Sequence, residues 1–193
     1  KLNPSLQENT LTEAFNKVLH LGTEDLMENN ERFHTFLSNG ITVEQTIAGK
    51  TKGVNVKLID VEDVANNSFW AVNQLVVHEN NNHKRFDVVI YINGLPLVFI
   101  ELKNAASETA TLRKAFTQIQ NYKTATPSIF YYNAICVISD GIDAGASSVS
   151  APFARYLPWK APKDEAVKSI LQDEESLSVA AEPKPLYGST PTQ

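Results

Sequence analysis

The stretch Arg85 to Asn104, RFDVVIYINGLPLVFIELKN, constrains the fold more than any other part of the chain. Two apolar runs, Phe86 to Tyr91 and Pro96 to Leu102, flank Asn93-Gly94, a dipeptide suited to the positive backbone torsions of a two-residue hairpin turn. A β-hairpin is therefore expected. Its second strand carries Leu97, Val98, Phe99 and Ile100 with no polar alternation, the pattern of a strand covered on both faces at the centre of a sheet.

Around this hairpin the periodicities describe a mixed α/β sheet flanked by helices. Leu11, Phe15, Val18 and Leu19, then Leu26, Phe33, Phe36 and Leu37, recur at helical spacing and predict two helices between residues 11 and 37. Short β-branched runs at Ile41–Val43, Val54–Ile59 and Ala71–Val77 read as strands, with the sheet expected to begin at the first. Thr109–Tyr122 reads as a helix with Leu112, Ala115, Phe116 and Ile119 on one side, and Tyr132–Ser139 as a further buried strand. From Asp140 the text loosens into a small-residue loop ahead of FARYLPW. The expected organisation is one domain over residues 1–160, with a helical part at 1–40 and an α/β core at 41–160, followed by a linker or tail at 161–193.

The totals exclude some classes. No apolar run approaches the roughly 20 residues needed to span a bilayer, and the first residues lack a signal-peptide pattern, so a cytoplasmic protein with no membrane partner is expected. A single cysteine, Cys136, lies in the apolar run AICVIS and reads as a buried structural residue. His20, His34, His78 and His83 lack zinc-site spacing. Ala48-Gly49-Lys50-Thr51 resembles the end of a phosphate loop, but Glu44 stands where such a loop needs glycine, so this chain is not expected to bind ATP and the segment reads as a basic turn. A net charge of −5 disfavours a general nucleic-acid coat without disfavouring a nuclease, whose metal-binding carboxylates are themselves acidic.

Chemistry is expected where charge interrupts the hairpin. Glu101 and Lys103, two apart at the end of an apolar strand, share a face. Whether Asp87 joins them depends on register. A plain two-residue turn pairs residues whose numbers sum to 187 and sets Asp87 opposite Ile100; a three-residue loop, or one bulge, shifts the sum to 188 and sets Asp87 opposite Glu101. The second register is the expectation. Two facing carboxylates in a half-buried site repel unless a cation lies between them, and a hard divalent ion, Mg²⁺ or Mn²⁺, fits oxygen ligands. Asp87, Glu101 and the backbone carbonyl of Leu102 would hold it and leave room for a phosphate oxygen and a water, with Lys103 orienting that water. A structural ion pair at a strand end is the competing reading of the same charges.

Asp87, then Glu101-x-Lys103 one hairpin later, resembles the PD-(D/E)xK nuclease superfamily, with Phe86 in place of the usual proline. The wider order RFDVVIYINGLPLVFIELKN, QIQNY, VISDG and FARYLPWK resembles the N-terminal nuclease domain of the restriction subunit of type I restriction-modification enzymes over residues 28–160. The resemblance implies a restriction-endonuclease-like fold, Mg²⁺-dependent cleavage of double-stranded DNA, and assembly with specificity and methylation subunits. It also implies an ATP-driven translocase downstream. It casts Gln118 and Tyr122 as the Gln-x-x-x-Tyr pair that supports the site or contacts DNA, and it suggests Glu13 on the first helix as a further acid, although a solvated helix-face glutamate explains that residue too. Arg85, Arg113, Lys114 and Lys123 are candidate phosphate contacts, as are Lys50 and Lys52. A non-catalytic docking module between a motor and a methylase, and a stand-alone nuclease, are the rival readings.

Overall fold

The structure, a computed structural model, describes residues 2–103 and 111–159. Helices α1 (Glu8–Leu19) and α2 (Leu26–Asn39) open the chain. Asp25 starts α2 by accepting a hydrogen bond from the Glu28 amide, and Gly40 ends it with φ 73°, a left-handed torsion that glycine adopts without penalty. Strands β1 (Ile41–Ile47) and β2 (Lys50–Val56) form a two-stranded hairpin of their own that turns at Ala48-Gly49; the basic GKTKG string expected to be the turn contributes only Gly49 to it, and Lys50 to Gly53 pair with β1 as strand. The main sheet begins later than the sequence suggested, at β3 (Phe69–Glu79).

The main sheet continues through β4 (Asn82–Ile92) and β5 (Leu95–Leu102) as an antiparallel meander. Helix α3 (Leu112–Ala125) and the single turn α4 (Pro127–Phe130) then carry the chain to β6 (Ile135–Ser139), which lies parallel to β5. Two short antiparallel strands, β7 (Ala144–Ser147) and β8 (Leu157–Pro158), complete a six-stranded order β3-β4-β5-β6-β7-β8. This is the mixed α/β sheet flanked by helices expected for a restriction-endonuclease-like fold. Two local corrections apply. The small-residue segment after Asp140 contains β7, because Ala144–Ser147 pairs with Cys136–Ser139 and alanine, glycine and serine fit closely against that strand. Tyr131 and Tyr132 lie outside β6 and pack instead with α1 and α2, Tyr132 meeting Phe33 edge to face at 5.2 Å. The tail expectation for 161–193, the start of the predicted helix at 109–110, and Asn104 lie outside the described residues.

Strand β5 is the centre of the molecule. A bulge falls between the Tyr91–Pro96 and Ile90–Val98 pairs, leaving Leu97 without a ladder partner on β4. Pro96 has no amide hydrogen for the ladder, and prolines within sheets sit at edges, strand starts or bulges. The extra residue reverses the facing of the rest of the strand. Leu97 packs in one core with Val18, Phe33, Ile41 and Val56, whereas Phe99 packs in the other with Phe86, Ile119, Phe130 and Ile138. Glu101, two beyond Phe99, thereby looks toward α3.

Candidate active site

The bulge decides the site. Beyond it, Val88–Ile100, Val89–Phe99 and Ile90–Val98 pair with residue numbers summing to 188, whereas Ile92–Leu95 beside the turn sums to 187. Both registers weighed from the sequence occur in one hairpin, and the 188 register is the one that runs toward Asp87. Extended by one step it sets Asp87 against Glu101. The Leu102 amide donates to Asp87 Oδ2 at 2.9 Å, which holds the Asp87 carboxylate across the gap to β5.

Glu101 is 2% exposed. Burial pushes its carboxyl up from 4.5 to about 7; the nearby Asp87 charge pushes the same way, and Lys103 opposes both. The Lys103 ammonium donates to Glu101 Oε1 at 2.6 Å and to Gln118 Oε1 at 2.5 Å. From Gln118 the chain of bonds continues: its amide donates to the Tyr122 hydroxyl, which donates to the Arg85 carbonyl at 2.8 Å. Helical spacing stacks Gln118 over Tyr122 one turn apart on α3, and this face meets β4 and β5. Burial also raises the Tyr122 hydroxyl pKa, so it stays protonated and remains a donor. Five expected residues, Asp87, Glu101, Lys103, Gln118 and Tyr122, thus meet in one network.

Asp87, Gln118 and Tyr122 line a shallow cleft together with Val76, His83, Lys84 and Arg85. Among the described residues no group of three or more His, Cys, Asp or Glu side chains is placed to hold a metal. The side-chain ligands on offer are the Asp87 and Glu101 carboxylates. Two hard oxygen donors with mutual repulsion, one already engaging an ammonium, suit an ion such as Mg²⁺ that retains waters and takes the rest of its shell from backbone or substrate.

Other sequence candidates lie elsewhere. Glu13 pairs with Lys17 at 3.2 Å on the solvated side of α1, and among the described residues no bond joins it to the network. Lys123 is half-buried and donates to the Val149 carbonyl at 2.7 Å, which removes it from the candidate phosphate contacts. The Arg113 guanidinium lies 4.3 Å from the centre of the Phe153 ring. Cys136 is fully buried, and burial pushes its thiol up to about 12, as befits a packing residue. Sequence reasoning overlooked Gln74, whose side-chain amide faces Asp87 from β3.

Comparison with known proteins gives the chain its family. Residues 1–155 match the family model described as the type I restriction enzyme R protein N terminus. The chain belongs to that family. It is similar to the type I restriction enzyme HindI endonuclease subunit of Haemophilus influenzae, 40% identical over 90% of this chain and 17% of the relative. It is also similar to the EcoprrI endonuclease subunit of Escherichia coli, at 36% identity over 46% of this chain and 28% of the relative. A third relative, the SsaAORF53P endonuclease subunit of Staphylococcus saprophyticus, is 36% identical over 47% of this chain and 9% of the relative. The chain therefore spans less than a third of the length of these relatives. No helix among the described residues is long and apolar enough to cross a membrane.

Proposed function

We propose that this R-protein N-terminal domain is a metal-dependent endonuclease that hydrolyses phosphodiesters of double-stranded DNA within a type I restriction complex. The observation that carries the reading is the buried Glu101 carboxylate, raised to about 7, set beside Asp87 and bonded to Lys103. A second acid beside a buried carboxylate raises the cost of ionising both, a cost that a bound cation would remove.

Asp87, Glu101 and the Leu102 carbonyl would hold Mg²⁺ or Mn²⁺, which supplies a Lewis acid to the scissile phosphate and lowers the pKa of water. The protein's own groups do the rest. Lys103, held by Gln118 on one side and Glu101 on the other, can orient a water for attack and offset the negative charge that builds on the phosphate. Arg85 and Lys84, which line the same cleft, would meet the DNA backbone. Target choice, modification and ATP-driven movement would belong to the specificity and methylation subunits and to a translocase elsewhere in the R protein.

The test is Lys103→Ala in the complete R protein, assembled with its partners. DNA cutting in Mg²⁺ is expected to fall by at least about a hundredfold, the loss typical of removing a transition-state charge partner, while folding, assembly and ATP hydrolysis persist. Cutting at the parental rate would leave the charged cluster as a structural ion pair and the domain as a docking module.

A further inference from the structure

Strand β3 contains a backbone irregularity that its own packing does not require. Four non-glycine residues have positive φ among the described residues: Ala48, Gln74, Asn80 and Asn93. Three of these sit in the turns that join β1 to β2, β3 to β4 and β4 to β5. Gln74, at φ 52°, instead sits in the interior of an eleven-residue strand. Left-handed torsions are uncommon for a glutamine, and inside a strand they break the ladder. Here the ladder is intact on both sides, with Asn73 paired to Val88 and Leu75 to Phe86, and it opens only at Gln74 and Asp87.

The residue across the opening is the one with proposed chemistry. The Gln74 amide donates to Asp87 Oδ1 at 3.4 Å, while the Leu102 amide donates to Oδ2 at 2.9 Å. The carboxylate is thus held from both neighbouring strands. Gln74 is itself exposed, so buried packing is not what keeps it in this conformation. We infer that Gln74 is a positioning residue for Asp87: its left-handed backbone opens the β3–β4 ladder at Asp87, and its amide fixes the orientation in which that carboxylate meets a divalent cation. The inference rests on the reading of Asp87 as a metal ligand.

Two substitutions separate amide from backbone. Gln74→Met keeps the length and the backbone preference and deletes the donor; Gln74→Gly deletes the donor and suits the left-handed torsion. Binding of Mn²⁺ by the full 193-residue chain is measured by calorimetry, alongside Tm in metal-free buffer. Both variants should bind Mn²⁺ about tenfold more weakly than the parent, the lower end for loss of a group that orients a ligand, and Gln74→Gly should melt no lower than the parent. Asp87→Ala is the control and should abolish binding. If Asp87→Ala abolishes binding while both Gln74 variants bind as the parent does, the positioning role is overturned and the proposed site stands. A lower Tm in both variants at unchanged Mn²⁺ affinity would make Gln74 merely structural. If the parent binds no Mn²⁺, the inference falls together with the reading beneath it.

Discussion

At the scale of single residues, Glu101 carries the sharpest consequence. Its carboxyl titrates near 7 in the folded chain against an ordinary 4.5, so the folded state holds a proton more tightly than the unfolded state does. Stability from this group is full below pH 4.5 and is lost as pH rises through about 7. The shift corresponds to roughly 3 kcal/mol at most. Between pH 5 and 8 the parent should lose stability relative to Glu101→Gln, which cannot ionise, and millimolar Mg²⁺ should restore it by favouring the charged form. Denaturant midpoints at the two pH values, with and without Mg²⁺, check this; a parent and variant that keep a constant difference would contradict it. Tyr122 makes a different claim. Tyr122→Phe removes the link from Gln118 to the Arg85 carbonyl and frees the far end of the Lys103 support. Stability should fall by about 1 kcal/mol, as for a neutral hydrogen bond. Cleavage by the complete R protein should fall about tenfold, by analogy with other orienting partners of a metal site, and Mn²⁺ affinity should stay near that of the parent.

At the scale of elements, the β4–β5 hairpin shows what a sequence reveals and what it hides. Asn93-Gly94 announces the turn, and the structure gives both residues positive φ. Asn93 does more than turn the chain: its side chain donates to the Leu58 carbonyl at 2.9 Å and to Asn67 Oδ1 at 2.8 Å, and it accepts from the Ser68 amide at 2.9 Å. Those partners lie 25 to 35 residues away and have no local signature. Asn93→Ala should therefore cost about 2–3 kcal/mol, because partners at three ends are stranded. Gly94→Ala should cost only about 1 kcal/mol, the penalty of a left-handed torsion in open space. Thermal unfolding of the two variants checks the order. The bulge at Leu97 was half legible, since Pro96 cannot serve a central ladder, yet its position fixes the facing of Glu101. The residues of the network from Lys103 to Arg85 were legible in two ways, Glu-x-Lys from its charges at the end of an apolar strand and Gln-x-x-x-Tyr only through the family resemblance. The network's bonding was not, because it depends on how α3 lies across the sheet. Gln74 left no sequence mark at all, as a left-handed glutamine inside a strand reads like any other strand residue.

At the scale of the molecule, the question is whether the helical N-terminal part is separable from the sheet that bears the site. The two cores argue against separation. Phe33 of α2, fully buried, packs in one with Ile41, Val56 and Leu97; Phe99, Phe130 and Ile138 pack in the other. Leu97 and Phe99 lie two residues apart on the same central strand, so β5 cannot leave one core without disturbing the other. Asn30 ties the layers further, its amide donating to the carbonyls of Phe130, Tyr131 and Asn133. Unfolding should therefore be one cooperative event. Phe33→Ala and Phe99→Ala should each lower stability by about 3–5 kcal/mol, the usual cost of emptying a phenylalanine site. In urea, far-UV and near-UV circular dichroism should trace a single coincident transition in the parent and both variants, with unchanged slope. The decisive comparison is Phe33→Ala, on the side away from Glu101. If its helices melt first while the sheet and Mn²⁺ binding survive to higher urea, the N-terminal part is an appendage. If everything is lost together, α1 and α2 belong to the platform that holds Asp87 and Glu101 in register.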